Sequence, residues 1–140
     1  MYGSDAANFA LLLARVWVAI MIFAHGWRHV KAIQSGPGMA NWFESLGLKP
    51  GILHAWMASI VELVCGVLLI VGFLTPLAAA GVVGVMMVAF LTNHRPNGFF
   101  IFRPGEGYEY VINLTAAGIA LGGLGAGGWS LDHVLENSLD

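Results

Sequence analysis

Charge is what this chain has least of. Asp, Glu, Lys and Arg together make up 10% of its 140 residues, against about 25% in ordinary soluble domains. A water-soluble domain this short leaves much of its surface exposed, and that surface must be polar. So few charges cannot cover it. The net charge is −2 with six cationic side chains, so no basic stripe exists to neutralise phosphates, which excludes a nucleic-acid partner. The single cysteine, Cys65, excludes an intramolecular disulfide, a CxxC motif and a tetrathiolate metal site. Within an apolar run it reads as a small buried hydrophobe. The opening residues, Met1 to Asp5, hold no basic stretch ahead of the first apolar run, which predicts an uncleaved first span rather than a signal peptide.

Apolar length is what the chain has in abundance. Hydrophobic residues make up 58% and mean hydropathy is +0.76, so lipid is the expected solvent for most of the molecule. A bilayer core of about 30 Å takes about 20 apolar residues per helix. Four segments meet that requirement: about 9–30, 52–74, 77–92 and 108–124. The sequence therefore predicts an all-α polytopic membrane protein, a four-transmembrane-helix bundle forming a single membrane domain over residues 1–140. Arg28, Lys31 and Lys49 lie in or beside the first loop and Arg95 and Arg103 in the third; the termini and the 75–76 turn carry no Lys or Arg. The positive-inside rule then places loops 1 and 3 in the cytoplasm and both termini outside.

Both long loops carry structure of their own. Met39, Trp42, Phe43 and Leu46 recur at helical spacing between Pro37 and Gly47, which predicts a short helix in the interface. In loop 3 the turn residues 95–98 and 103–105 flank Phe99, Phe100, Ile101 and Phe102, the pattern of a hairpin or re-entrant segment packed back on the bundle. Ala80 with Gly84 and Gly118 with Gly122 have the small-xxx-small spacing expected at helix contacts.

Ionisable residues at membrane depth are costly and normally face the bundle interior. Glu62 stands mid-span in the second segment, and Arg15 stands in the first. Counted from the outer ends of antiparallel helices, the two are offset by about 8 Å at 1.5 Å per residue, within reach of an Arg–Glu pair. Such a pair is either functional or a buried ion pair that fixes helix register. A second group forms at the cytoplasmic end: His25 and His29 one turn apart, His94 ending the third span, Glu109 opening the fourth, and Tyr108, Tyr110, Asn97 and Asn113 at a similar level. Histidine and carboxylate are groups that move protons to and from a quinone, although such residues are also ordinary interface anchors. An axial haem pair from His25 and His94, with Gly26 leaving room for the ring, is the lesser alternative. No metal site is expected, because no second ExxH spacing accompanies the histidines.

Arg15, the Ala24-His25-Gly26 stretch, Trp42 to Gly47, Glu62-Leu63 with Gly66, Asn97-Gly98-Phe99-Phe100 and Gly107-Tyr108-Glu109-Tyr110 together resemble the DoxX family of small bacterial membrane proteins. The resemblance runs through essentially the whole chain, in order. It implies a four-helix protein of the bacterial cytoplasmic membrane, related to the DoxD subunit of thiosulfate:quinone oxidoreductase. Other relatives are linked to resistance to quinones, catechols or thiol-oxidative stress, with partner proteins. Arg15, His25, Glu62, Asn97 and Glu109 match the family pattern. Two readings follow. One is a quinone-handling redox subunit, with Glu109, His25, Glu62 and Arg15 as proton relay and polar interior, and His25, His94, Asn97, Tyr108 and Asn113 around the ring. The other is a non-catalytic scaffold subunit of a larger membrane complex. Either way the expected partners are the bilayer and other proteins.

Overall fold

Ser4 accepts a hydrogen bond from the Ala7 backbone N–H, and the helix it starts, α1 (Asp5–Gln34), runs for 30 residues. The computed structural model describes residues 3–139, and among them every regular element is helical. After α1 come α2 (Gly38–Ser45), α3 (Gly51–Val71) and α4 (Thr75–Ala89). A π turn (Phe90–His94) and a 3-10 turn (Arg95–Asn97) extend α4, followed by α5 (Glu109–Leu124) and α6 (Leu131–Leu139). Three segments are long and apolar enough to cross a membrane: Asp5–Gln34, Gly51–Val71 and Thr75–Asn97. The α5 helix is apolar but shorter, at 16 residues. Its rise is about 24 Å at 1.5 Å per residue, against a core of about 30 Å.

The large apolar side chains point outward. Phe9, Leu13, Trp17 and Ile20 on α1 and Ile60, Val64 and Val67 on α3 are exposed, whereas the buried core is built on smaller residues such as Ala19, Ala78, Ala79 and Val82. A surface this rich in large apolar side chains belongs in lipid, where small residues let helix backbones approach closely.

The contact between α1 and α3 uses this device twice. The position of a Cβ on Gly26 lies 2.9 Å from the Glu62 Cβ and 3.1 Å from the Ser59 carbonyl. On the opposite helix, Gly66 faces the Phe23 Cβ at 3.0 Å. Even one methyl overfills such a notch. Gly26→Ala is expected to destabilise the protein by about 1 kcal/mol, read as a lower thermal midpoint in detergent; an unchanged midpoint would show that the helices part freely.

Helix α4 meets α5 through Gly118, whose added Cβ would lie 2.9 Å from Val83, and Gly122, which faces the Ala79 Cβ at 3.4 Å. On α4, however, the buried stripe is Ala78, Ala79, Val82 and Met86; Ala80 and Gly84 are exposed. The small pair expected to form the α4 contact therefore lies on the wrong side of the helix. Gly81 instead presses on α3, its added Cβ being 2.4 Å from the Cys65 Sγ.

The second span ends earlier than hydropathy suggests because Gly72, at φ 67°, closes α3 in the left-handed conformation, the usual glycine C-cap. Loop 3 closes on itself through Tyr108 N to Gly98 O, Glu109 N to Phe99 O and Gly107 N to Phe100 O. Its four large apolar residues, Phe99 to Phe102, are exposed rather than packed into the bundle. The short helix in loop 1 is α2, which seats Phe43 inward and leaves Trp42 exposed. Helix α6 was not expected. Its start is marked by Ser130, whose hydroxyl accepts from the His133 N–H, a capping pattern.

Candidate functional site

Arg15 and Glu62, the two intramembrane charges, do not meet. The Arg15 guanidinium is buried and donates to the carbonyls of Leu69 and Ile70, both at 2.9 Å, and to the carbonyl of Trp129. Those first two carbonyls lie at the C-terminal end of α3, where helix carbonyls lack intrahelical partners and a cation is favoured by the helix dipole. Gly72 leaves room for this arrangement, since its added Cβ would lie 2.5 Å from the guanidinium. Asp132 completes the end of the bundle by accepting from the Leu74 and Thr75 N–H groups, while its own N–H donates to Gly72. The expected Arg15–Glu62 pair is thus replaced by a cap on α3 that also ties down the C-terminal segment.

Glu62 pairs instead with His29, whose Nδ1 lies 2.9 Å from its Oε2. The contact lacks hydrogen-bond alignment, and both atoms are buried without another partner. The antiparallel packing of α1 on α3 explains the pairing: Gly26 abuts Ser59, Glu62 and Leu63, and the side chains of Glu62 and of His29, three positions on along α1, each tilt toward their own helix N-terminus and so converge.

The pair opens onto a cavity of about 640 Å³ enclosed by α1, α2, α3, α4 and α5, within the usual 300–1,000 Å³ of small-molecule sites. Its polar wall holds His25, His29, His54, Glu62, Asn93, His94, Glu106 and Tyr110. The ring of His25 lies 5.0 Å from that of Tyr110. The Tyr110 hydroxyl is buried and has no hydrogen-bond partner. The rest of the lining is largely apolar, and includes Met39, Trp42 and Phe43 of α2 and Val61 of α3. The π turn supplies His94, which is buried, and fixes its ring by an Nδ1–H donated to the Glu106 carbonyl at 3.0 Å. Such turns occur frequently at functional sites.

The structure therefore brings together five of the residues singled out by sequence, His25, His29, Glu62, His94 and Tyr110. The others lie elsewhere. Arg15 is at the opposite end of the bundle. Glu109 accepts from the Ile101 N–H at 2.9 Å and holds loop 3. Asn97 donates to the carbonyls of Asn93, Gly105 and Glu106, closing the same loop. Tyr108 packs edge-on against Phe90 and Phe99, and Asn113 is on the exposed face of α5. A polar residue at the right depth does not by itself face inward; the helix phase and the loop's own hydrogen-bonding needs decide its direction. His54 and Glu106 join the site in their place. His54 was legible, two turns from Glu62 on the cavity face of α3. Glu106 lies in a loop and leaves no periodic signal.

An all-helical chain with a lipid-facing exterior and a polar-walled internal cavity is a polytopic membrane protein, and comparison with known proteins agrees. Residues 10–95 match the DoxX family, and the chain belongs to it. It is also similar to an uncharacterized membrane protein of Mycobacterium tuberculosis, 28% identical over 136 residues that cover 91% of this chain and 82% of the relative. No solved structure matches the chain.

Proposed function

We propose that the protein binds the head group of a membrane quinone, or a similar hydrophobic aromatic with oxygen acceptors, in the cavity bounded by His25, His29, Glu62, His94 and Tyr110. The observation that carries this reading is a largely apolar, aromatic-sized space bordered by the buried Tyr110 hydroxyl, which has no hydrogen-bond partner, and by the facing His29–Glu62 pair. An orphaned buried hydroxyl costs free energy, and a ring oxygen accepting from Tyr110 removes that cost. A bound quinone supplies two ring oxygens that take up or release protons as the ring changes redox state. His29 and Glu62 stand next to them, and histidine and carboxylate are groups that can pass protons to and from such oxygens. With one cysteine in the chain, a dithiol relay within it is excluded, and electrons come from a partner protein in a quinone or thiol oxidoreductase pathway. The exposed Phe99 to Phe102 segment between Arg95 and Arg103 offers that partner a surface; it is also what favours the second reading, a non-catalytic scaffold subunit.

Purification in mild detergent, followed by an absorption spectrum and organic extraction, tests the reading. A quinone recovered at close to one per chain is expected. A protein that carries none and takes none up contradicts it.

We place the protein in the bacterial cytoplasmic membrane with four spans, α5 being the fourth, and with loops 1 and 3 on the cytoplasmic side. The C-terminal Asp140, outside the described residues, is then external. A periplasm-dependent reporter fused after it should be active; activity of a cytoplasm-dependent one there overturns the orientation.

A further inference from the structure

Helices α3 and α4 are joined by a tight turn and diverge from it. Near the turn they touch, Gly81 lying against Cys65 and, at 3.4 Å from an added Cβ, against Val61. One turn further along α4 the contact has gone: a Cβ on Gly84 would meet nothing within 4 Å, although Gly84 borders the cavity. Val88 is 48% exposed and borders it too, as do the exposed Met57 and the half-buried Ala58 on α3. Gly84 stands nine residues after Thr75, about 14 Å along the helix at 1.5 Å per residue, which is near the middle of a hydrocarbon core of about 30 Å. The cavity residues at this level on the two helices, Gly84, Val88, Met57 and Ala58, carry no polar side-chain group, so the side of the cavity between the helices is apolar at that depth.

We propose that this gap is a lateral portal through which a ligand with a long hydrocarbon tail enters from the bilayer, the head group at the His29–Glu62–Tyr110 wall and the tail passing out between Gly84 and Ala58. This rests on the function proposed above and narrows its ligand class to lipid-soluble, tailed molecules. Glycine at position 84 is then needed for an open rim rather than for backbone conformation, since Gly84 lies inside α4 and has no close neighbour to avoid.

The test compares Gly84→Trp and Val88→Trp with the parent, each reconstituted in nanodiscs, using two probes. One is 2-methyl-1,4-naphthoquinone, which has no tail; the other is a menaquinone with an isoprenoid tail. Circular dichroism and a monodisperse gel-filtration profile show which variants fold. In at least one folded variant, affinity for the tailed probe should fall tenfold or more, with affinity for the tail-less probe within twofold of the parent. Equal binding of the tailed probe by parent and folded variants overturns the portal but leaves the binding function standing. Parallel loss of both probes also overturns it, because the rim residues would then belong to the head-group pocket. If the parent binds neither probe, the binding function itself has failed.

Discussion

Arg15→Leu and Glu62→Leu should each destabilise the protein by roughly 1–3 kcal/mol, because each leaves buried polar groups without their partner. Combined, the two losses should add within about 0.5 kcal/mol, as expected for sites without shared contacts. The reason is geometric. Arg15 holds the Leu69, Ile70 and Trp129 carbonyls, while Glu62 faces His29. Along α3, Glu62 and Leu69 are separated by about 10 Å at 1.5 Å per residue. The single losses nonetheless differ in kind. Arg15→Leu releases the end of α3 together with the C-terminal segment, whereas Glu62→Leu leaves His29 facing a leucine at the cavity wall. Thermal unfolding in detergent across the four proteins of the cycle gives the coupling. A double variant more stable than either single one contradicts the arrangement and restores a direct Arg15–Glu62 pair.

Tyr110→Phe should separate ligand binding from folding. The Tyr110 hydroxyl is buried and unpartnered in the protein, so removing it takes away no internal hydrogen bond and should leave the thermal midpoint equal or slightly higher. Affinity for a naphthoquinone should fall about tenfold, equivalent to about 1.4 kcal/mol, the scale of one hydrogen bond to the ring. Glu109→Gln is the control: Glu109 is engaged with the Ile101 N–H in loop 3, so its affinity should match the parent. A normal affinity in Tyr110→Phe, or a loss only in Glu109→Gln, would place the ring at the loop rather than in the cavity.

The parts of the fold legible in the sequence are those that hydropathy and local chemistry decide. The positions of α1, α3, α4 and α5 follow from apolar length, with ends shifted by a few residues where a glycine or a cap intervenes, as at Gly72. The interior position of Glu62 also followed, since a mid-span carboxylate must face the bundle. Its partner did not. Offset along the helix axes made Arg15 reachable, but nothing local shows that α3 ends at Gly72 with free carbonyls, or that the segment around Trp129 folds back to add another. Helix phase was the second source of error: the small-xxx-small spacing of Ala80 and Gly84 fits a contact, yet the buried stripe of α4 runs through Ala79, Val82 and Met86. Loop 3 was the third. Glu109 and Asn97 stand at the depth of the cavity but are consumed by backbone groups of the loop itself, which a reading by depth alone does not reveal. His25, His29, Glu62, His94 and Tyr110 line the cavity because each sits on a helical segment whose phase and depth both point inward.

The most direct measurement of the central claim is photolabelling with an azidonaphthoquinone, followed by peptide mapping of the purified protein. Labels are expected within 25–32 on α1, 54–62 on α3 and 106–111, and unlabelled naphthoquinone should suppress them. Labelling spread over the lipid-facing residues of 9–20, insensitive to that competitor, would contradict a head-group site in the cavity.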